Sequence, residues 1–331
     1  MPVLTITQAE HVVAAALERA NTSPENAARV ARALVAAEAD GLKGHGLSRV
    51  PTYAAQAKAG KVDGRATPTA TRPRPGVLAV DAAHGFAYPA LAIVADELPE
   101  IARAQGVAAA AIRRSHHCGA AGHPVEALAQ AGLVALLFAN TPAAIAPWGG
   151  SVPVFGTNPI AFACPMPAGR APIVVDLSLS KVARGNILAA KQKGEPIPEG
   201  WALDANGNPT TDAEAALKGT MLPLGDAKGT ALALMVELLA AGITGANYAA
   251  EASSFLDAEG PPPGTGQLIL ALDPVALGGE ASLMRVSALA AMIEGQDGAR
   301  LPGMRRLALR EKARAEGLTV ADATMAAIEA V

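Results

Sequence analysis

Apolar residues recur at helical spacing from Gln8 to Ala20 and again from Ala27 to Ala39. Between them, Ser23-Pro24-Glu25 supplies an N-cap, a first-turn proline and a first-turn acid, so two helices are predicted before the first polar cluster. From Gly76 the pattern changes to short apolar runs bounded by Gly, Pro and Asp: Val77 to Val80, Val107 to Ile112, Leu133 to Ala139, Ile160 to Cys164, Ile173 to Leu177 and Leu268 to Leu272. Such runs predict buried strands. Helical segments at Pro89 to Arg103, His123 to Gln130 and Thr230 to Ala241 fall between some of them, which makes the class α/β. Strand order is not readable from this pattern. Pro196, Pro198, Gly200, Asn206-Gly207-Asn208-Pro209 and Asp212 crowd the stretch from Gly194 to Leu224 with turn formers, predicting an excursion over the surface. Gly260-Pro-Pro-Pro-Gly264 is a second stiff connection, and helices are expected to return at Ser282 to Glu294, Met304 to Glu316 and Val320 to Ala330. There is no internal repeat.

Composition narrows the function classes. At 331 residues the chain exceeds the size at which one hydrophobic core keeps growing, so at least two lobes are expected. Lys plus Arg is 27 against 30 for Asp plus Glu, a net charge of −3, and no basic block occurs. This argues against nucleic acid and against an anionic membrane as partners. The longest apolar runs are too short to span a bilayer, and the one from Thr230 to Ile243 carries Glu237. Two cysteines, Cys118 and Cys164, make no disulfide framework, and Met1-Pro2-Val3-Leu4 lacks a charged region followed by an apolar core; a cytoplasmic protein is expected. Hydrophobic residues reach 51% but aromatics only 3%, so Ala, Val, Leu and Ile must build the core. No G-x-G-x-x-G follows a candidate strand and no G-x-x-x-x-G-K-[ST] occurs, which removes the Rossmann fingerprint and the P-loop as explanations.

Four segments carry candidate chemistry. In Asp40-Gly-Leu-Lys-Gly-His-Gly-Leu-Ser-Arg-Val-Pro-Thr-Tyr53, His45 lies between two glycines and is followed at intervals of four by Arg49 and Tyr53. A histidine that exchanges protons near neutrality and a guanidinium that forks onto a carboxylate together suit a 2-oxo acid, although a solvated loop has the same spacing. Arg113-Arg114-Ser115-His116-His117-Cys118-Gly119-Ala120-Ala121-Gly122-His123 ends a strand and runs into a helix, where ligands meet helix N-termini. Its three histidines lack a second Cys/His pair at zinc spacing, so no metal is expected. Pro223-Leu-Gly-Asp-Ala-Lys-Gly229 puts Lys228 in the first turn of a helix, which the helix dipole disfavours unless an anion sits there; pairing with Asp226 is the plain alternative. Finally, Asp176, Ser178 and Ser180 close an apolar strand, where they can bond sugar hydroxyls or cap the next helix.

Taken together, Gly44-His-Gly-x-x-Arg49 with Tyr53, Ser115-x-His117-x-Gly119, Ala146-Pro-Trp-Gly-Gly150, Phe155-Gly-Thr-Asn-Pro159, Asp176-Leu-Ser-Leu-Ser180, Gly225-x-x-Lys-Gly229 and Leu301-Pro-Gly303 resemble the malate/L-lactate dehydrogenase family. That family also holds sulfolactate, ureidoglycolate and diketogulonate dehydrogenases and Δ1-piperideine-2-carboxylate reductases, and it is distinct from the Rossmann-type lactate dehydrogenases. The likeness runs from about Thr5 to about Thr319.

The resemblance implies a non-Rossmann, sulfolactate-dehydrogenase-like α/β fold. A central nicotinamide-binding lobe over 76–299 is expected between a helical region at 1–75, bearing the catalytic His and Arg, and a C-terminal helical region at 300–331 packing back on it. It implies NAD or NADP as cofactor, a small carboxylate substrate and a homodimer with the active site near the subunit contact. By position, His45 is similar to the family's proton donor and Arg49 to its carboxylate clamp, with Tyr53 also at the substrate. His117 matches a histidine that is catalytic in ureidoglycolate-type members and otherwise lies against the cofactor. Thr141, Asn158, Asp176, Leu177, Ser178, Ser180, Lys228, Gly303 and Arg305 match cofactor-contacting segments, and Arg305 or Arg306 could pair with the added phosphate of NADP. Two positions depart from the family: Gly44 stands where a Ser usually precedes the histidine, and Asn186 where the imine reductases carry a relay Asp. Asn cannot stabilise an imidazolium as a carboxylate does. The expected activity is therefore hydride transfer between nicotinamide and a 2-oxo or 2-hydroxy acid of malate, lactate or sulfolactate type, with reduction of a cyclic imino acid as the alternative.

Overall fold

Thr5 and Gln8 open the first helix with a capping box, each side chain accepting from the other's backbone N–H. In the computed structural model, which describes residues 1–167 and 169–331, this helix, α1 (Ile6–Arg19), follows a short strand, β1 (Val3–Leu4). Ser23 caps α2 (Pro24–Ala39). Two single 3-10 turns, Lys43–His45 and Leu47–Arg49, then lead into α3 (Val50–Lys58), with Pro51 in its first turn.

The sheet begins at β2 (Thr69–Arg74), a segment grouped above with the helical N-terminal region. Its Thr-Ala-Thr-Arg-Pro-Arg sequence has no apolar run to betray it, because it is an exposed edge strand, where Pro73 is tolerated. The chain continues through β3 (Val77–Asp81), α4 (Ala87–Gln105), β4 (Val107–Ser115), α5 (Gly122–Gln130), β5 (Val134–Ala139), β6 (Ile160–Cys164) and β7 (Ile173–Leu177).

The turn-rich stretch that follows is not a bare surface excursion. It contains α6 (Arg184–Lys193), β8 (Ala202–Leu203), β9 (Pro209–Thr210), α7 (Ala213–Lys218) and β10 (Thr220–Met221), with the strands forming a small antiparallel sheet in the order β10-β8-β9. Ile187, Ile197, Ala202, Ala213, Ala216 and Met221 close on one another and on Ile145 as a separate small core. The turn formers make the reversals that allow this, as where Asp204 accepts from the N–H groups of Asn206 and Asn208.

Next come α8 (Ala227–Glu237), which runs into a π-type turn over Leu238–Gly242, and β11 (Thr265–Leu272). β11 inserts in the middle of the main sheet, whose order is β2-β3-β4-β11-β5-β6-β7; only β3 and β4 pair in parallel. Both faces of the sheet are covered. Ala135, Leu137, Ala139, Ile269 and Ala271 join the large core with α4 and α5, while Phe138, Leu136, Leu268 and Leu270 pack with Ala233, Val236 and Ala240 on the other side. The chain ends with α9 (Pro274–Gly278), α10 (Ser282–Glu294), α11 (Met304–Glu316), β12 (Leu318–Thr319) and α12 (Asp322–Glu329). β12 pairs antiparallel with β1, so the two chain ends close the same helical layer. No helix among the described residues is long and apolar enough to cross a membrane.

Candidate active site

The loop that presents His45 is shaped by α2. The Glu38 carboxylate accepts from Leu47 N–H at 3.0 Å, and a Cβ on Gly46 would collide with that carboxylate, so this glycine is required. At Gly44 nothing lies within 4 Å of an added Cβ. Arg49 Nε donates to Gly44 O at 2.7 Å, which bends the chain back and leaves the two terminal nitrogens of the guanidinium uncommitted. No carboxylate pairs with Arg49 among the described residues.

From the end of β4, His117 meets this loop: the His45 and His117 rings stack 5.2 Å apart at an interplanar angle of 16°. His117 Nδ1 lies 2.6 Å from the Tyr53 hydroxyl, which is itself 3.3 Å from the Tyr88 hydroxyl on α4. Tyr53 is fully buried and its hydroxyl is spent on these neighbours, so it supports His117 rather than reaching a substrate. His116 lies outside the strand and turns into the same aromatic cluster, edge-on to Tyr53 and Phe86. Phe255 packs on both imidazoles, at 5.0 Å from His116 and 5.3 Å from His117. Its loop is tied down by Asp257, which takes Lys61 Nζ on its carboxylate at 3.0 Å and Gln56 Nε2 on its carbonyl at 2.9 Å.

Burial, with the charge of Arg49 adding to it, makes this an unfavourable place for a further cation. His45 is pushed down to about 4 by burial, then by Arg49 and His123. Burial, Arg49 and Lys61 take His116 down to about 3, and burial first of all holds His117 well below the usual imidazole range. Burial lifts the Tyr53 hydroxyl to about 12 and the Cys118 thiol to about 12, so both stay protonated at neutral pH. The site thus pairs one guanidinium lacking a counter-ion with three neutral imidazoles. His45 Nδ1 is buried without a hydrogen-bond partner. Asn186 lies exposed on α6, with no side-chain hydrogen bond to His45.

The segments matched to cofactor contacts fall into two groups. In the first, Thr141 Oγ1 accepts from Thr157 N–H at 2.9 Å, Ser180 bridges to Pro223, and Leu224 N–H donates to Leu179 O, which brings Thr141, Asn158, Ser178 and Ser180 to the start of α8. Ser178 and Ser180 share a 2.7 Å hydrogen bond and neither caps α6, whose N-cap is Ala183. Asp226 begins α8 at φ 55° with no side-chain cap, Lys228 stands exposed in the first turn, and a Cβ on Gly229 would run into Leu224 O. Asn158 Oδ1 and Thr230 Oγ1 are buried without partners. Uncapped N–H groups, a first-turn lysine and a Thr230 hydroxyl that is free to donate fit a phosphate-bearing cofactor.

The second group is Asp176, Gly303 and Arg305. Asp176 Oδ2 accepts from Gly122 N–H, the first of α5, at 2.7 Å, although desolvation there raises its pKa. Gly303, at φ 88°, starts α11 against Val174 O, two residues before Asp176. Leu177 and Arg305 are exposed. Arg306 is not available for a phosphate: it grips Glu126 through two hydrogen bonds of 2.9 and 3.0 Å.

Two buried networks escaped the sequence reading. Glu237, deep in α8, accepts from Asn158 Nδ2, Asn140 Nδ2 and Ala249 N–H at 2.8, 3.1 and 2.6 Å, and so fixes the Asn158 segment. Asp40, Glu126, His123, Arg306 and Arg310 form a charged cluster joining α2, α5 and α11. The only sequence signals were a glutamate inside an apolar helix and acids matched to arginines far along the chain.

A mixed seven-stranded sheet carrying a His–Arg loop, a second histidine at a strand end and an uncapped anion-accepting helix defines an oxidoreductase of the non-Rossmann type. The profile of the malate/L-lactate dehydrogenase family matches residues 4–329, and the chain belongs to that family. It is 51% identical over 322 residues to the (2R)-3-sulfolactate dehydrogenase (NADP(+)) of Chromohalobacter salexigens, covering 97% of this chain and 96% of the relative. It is 42% identical to a Δ1-pyrroline-2-carboxylate/Δ1-piperideine-2-carboxylate reductase of Pseudomonas aeruginosa, over 97% and 96% of the two chains. Among solved structures, Δ1-piperideine-2-carboxylate reductase from Pseudomonas syringae pv. tomato superposes with a TM-score of 0.94 at 38% identity, covering 100% of this chain and 99% of the other. Sulfolactate dehydrogenase from Methanocaldococcus jannaschii does so at 0.90 and 28%, over 99% and 96%.

Proposed function

We propose that this protein transfers hydride between NADP and a small 2-oxo or 2-hydroxy acid, with a sulfolactate-type substrate favoured. The observation that carries the reading is Arg49: a guanidinium with two free nitrogens and no counter-ion, beside a stacked pair of imidazoles, calls for a substrate carboxylate. The 51% identity to an NADP-dependent sulfolactate dehydrogenase supports the substrate class and the cofactor. Bound at the α8 cradle and along Asp176 to Ser180 and Gly303 to Arg305, the nicotinamide cofactor supplies or accepts the hydride.

The chain's own residues do the rest. Arg49 forks onto the substrate carboxylate and fixes C2 in place. His45 exchanges the proton with the substrate oxygen; a carboxylate on Arg49 offsets the charge that adds to burial in keeping the imidazole neutral, and so helps it take up a proton. Phe255 and the aromatic cluster around the histidines keep water from that oxygen. The exposed apolar residues Leu234, Met235, Leu238 and Ile243, along and beyond α8, support the expected homodimer, with the subunit contact continuous with the cofactor cradle. Two buried free cysteines support a cytoplasmic location.

Reduction of a cyclic imino acid is the second reading, favoured by the 0.94 superposition. Gly44, and the absence of a hydrogen bond from Asn186 to His45 among the described residues, weigh against it. The deciding experiment follows oxidation of NADPH and NADH with pyruvate, oxaloacetate, 3-sulfopyruvate and Δ1-piperideine-2-carboxylate. Turnover fastest with 3-sulfopyruvate and lost in His45→Ala supports the proposal. Turnover with the cyclic imine alone would overturn it.

A further inference from the structure

We infer that Tyr88 and Tyr53 form a hydroxyl chain that fixes the proton of His117 on Nε2, making this imidazole a hydrogen-bond donor to the substrate oxygen and leaving proton transfer to His45. The inference rests on the placement of substrate beside His45 and His117 proposed above. Tyr88 and Tyr53 are positioning residues, since they act only through His117.

Proton counting along the chain fixes the tautomer. Two hydroxyl protons and one ring proton must be shared among Tyr88 Oη, Tyr53 Oη and His117 Nδ1, whose successive separations are 3.3 and 2.6 Å. If Tyr88 donates to Tyr53 and Tyr53 donates to Nδ1, both hydroxyl protons are used and His117 keeps its proton on Nε2. The reverse order has Nδ1–H donating to Tyr53 and Tyr53 to Tyr88. It strands the Tyr88 proton, because Tyr88 has no other side-chain hydrogen bond among the described residues. The 2.6 Å separation is short for an N–H donor and ordinary for a hydroxyl. Both tyrosines are raised by burial and remain hydroxyls at neutral pH.

The surroundings keep His117 uncharged. Arg49, His45 and His116 face it with positive or potentially positive groups, Phe255 covers it with a hydrocarbon ring, and no carboxylate pairs with it among the described residues. A neutral imidazole of fixed tautomer suits an electrophile that stabilises developing charge on oxygen, while His45, with no partner on Nδ1, is free to gain and lose a proton. The chain also explains Gly119: a Cβ there would stand 2.7 Å from the Tyr88 hydroxyl and push it off Tyr53.

The test is ¹⁵N NMR of the histidine rings in the full-length, ligand-free protein, with His117→Gln identifying the resonances. We expect His117 Nδ1 unprotonated, Nε2 protonated and neither titrating between about pH 5 and 8; in Tyr53→Phe the Nδ1 signal should shift as its hydrogen bond is lost. In kinetics, Tyr88→Phe and Tyr53→Phe should lower kcat roughly 10- to 100-fold, below or near the loss typical of one oxyanion donor, with little change in KM. A proton on Nδ1 in the wild type, or titration of His117 near an ordinary imidazole value, overturns the inference even if Tyr88→Phe fails to fold. Because the NMR is read without substrate, it stands apart from the substrate panel, whose failure would overturn the proposed function alone.

Discussion

Arg310→Met isolates the charged cluster that joins α11 to α5 and to the end of α2, just ahead of the His45 loop. Arg310 forks onto Asp40 through two 2.7 Å hydrogen bonds and reaches Glu126 at 2.9 and 3.1 Å, while the Asp40 side chain has no solvent exposure. Burial alone would raise Asp40; the bonds from Arg310 and His123 more than offset this and bring it from 3.8 to about 2. Removing one partner of a buried pair costs about 3 to 5 kcal/mol, and the surviving contacts to His123 at 2.9 Å and Arg306 at 3.5 Å place this case at the low end. With 331 residues the unfolding entropy is about 0.7 kcal/mol per degree, so Tm should fall by about 4 °C. The sign with pH follows from the folded carboxyl lying below its unfolded value: the stabilisation is complete above about pH 5 and is lost as pH falls through about 2. Thermal melts followed by circular dichroism should show the full gap between wild type and variant at pH 7 and about half of it at pH 3. A gap below 1 °C at pH 7, or one that does not shrink on acidification, would show that the Arg310–Asp40 pair does not carry this stability.

Glu237→Gln replaces one carboxylate oxygen by an amide donor, so that even with the remaining oxygen kept on Asn140 Nδ2 and Ala249 N–H the new NH2 faces the Asn158 Nδ2 donor; urea melts should show a loss of about 2 kcal/mol, and NADPH affinity should fall as the Asn158 segment loosens. Gly229→Ala drives a methyl group into Leu224 O at the start of α8, so a fluorescence titration should show NADPH binding weakened at least about tenfold, and unchanged binding would remove the cradle from the cofactor site. For oxidation of a 2-hydroxy acid, kcat/KM should fall on acidification with a midpoint about 4, because protonated His45 cannot accept the substrate proton; a midpoint near the ordinary imidazole value of 6.5 would mean that a different group is titrating.

Much of the fold was legible because most strands and helices announce themselves locally. Ile160–Cys164, Ile173–Leu177, Ser282–Glu294 and Met304–Glu316 follow their apolar patterns residue for residue. What failed was whatever depends on partners. β2 is an exposed edge whose hydrogen bonds, not its side chains, make it a strand. β11 reads as an ordinary buried run, and nothing in its composition says that it enters between β4 and β5 after a separation of more than a hundred residues. The small sheet of β8 to β10 has strands of two residues each, too short for any period to register, and its core becomes visible only when Ile145 and Met221 are brought together.

The same division runs through the site. His45, Arg49 and His117 were legible as chemistry because their residue types are costly to leave unused, and the fold does bring them together. Their electrostatic character was not legible. Arg49 looks like one basic residue among 27 until the structure shows that no acid among the described residues answers it, while Arg306, in the first turn of α11, looks equally available and is consumed by Glu126. An unanswered charge is a property of three-dimensional accounting, as are the surroundings of Tyr53, which the family resemblance put at the substrate and whose buried hydroxyl lies on His117. The two losses at Gly44 and Asn186 take on a different meaning in that light. A histidine without a relay partner is a poor base only if it must be held in one tautomer; His45 sits between a guanidinium that needs an anion and an imidazole already fixed by two hydroxyls, so the arriving carboxylate can tune its basicity from the substrate side. Restoring the relay with Gly44→Ser should therefore leave kcat with an oxo acid within about threefold of wild type, and a larger gain would show that His45 is limited by its missing partner.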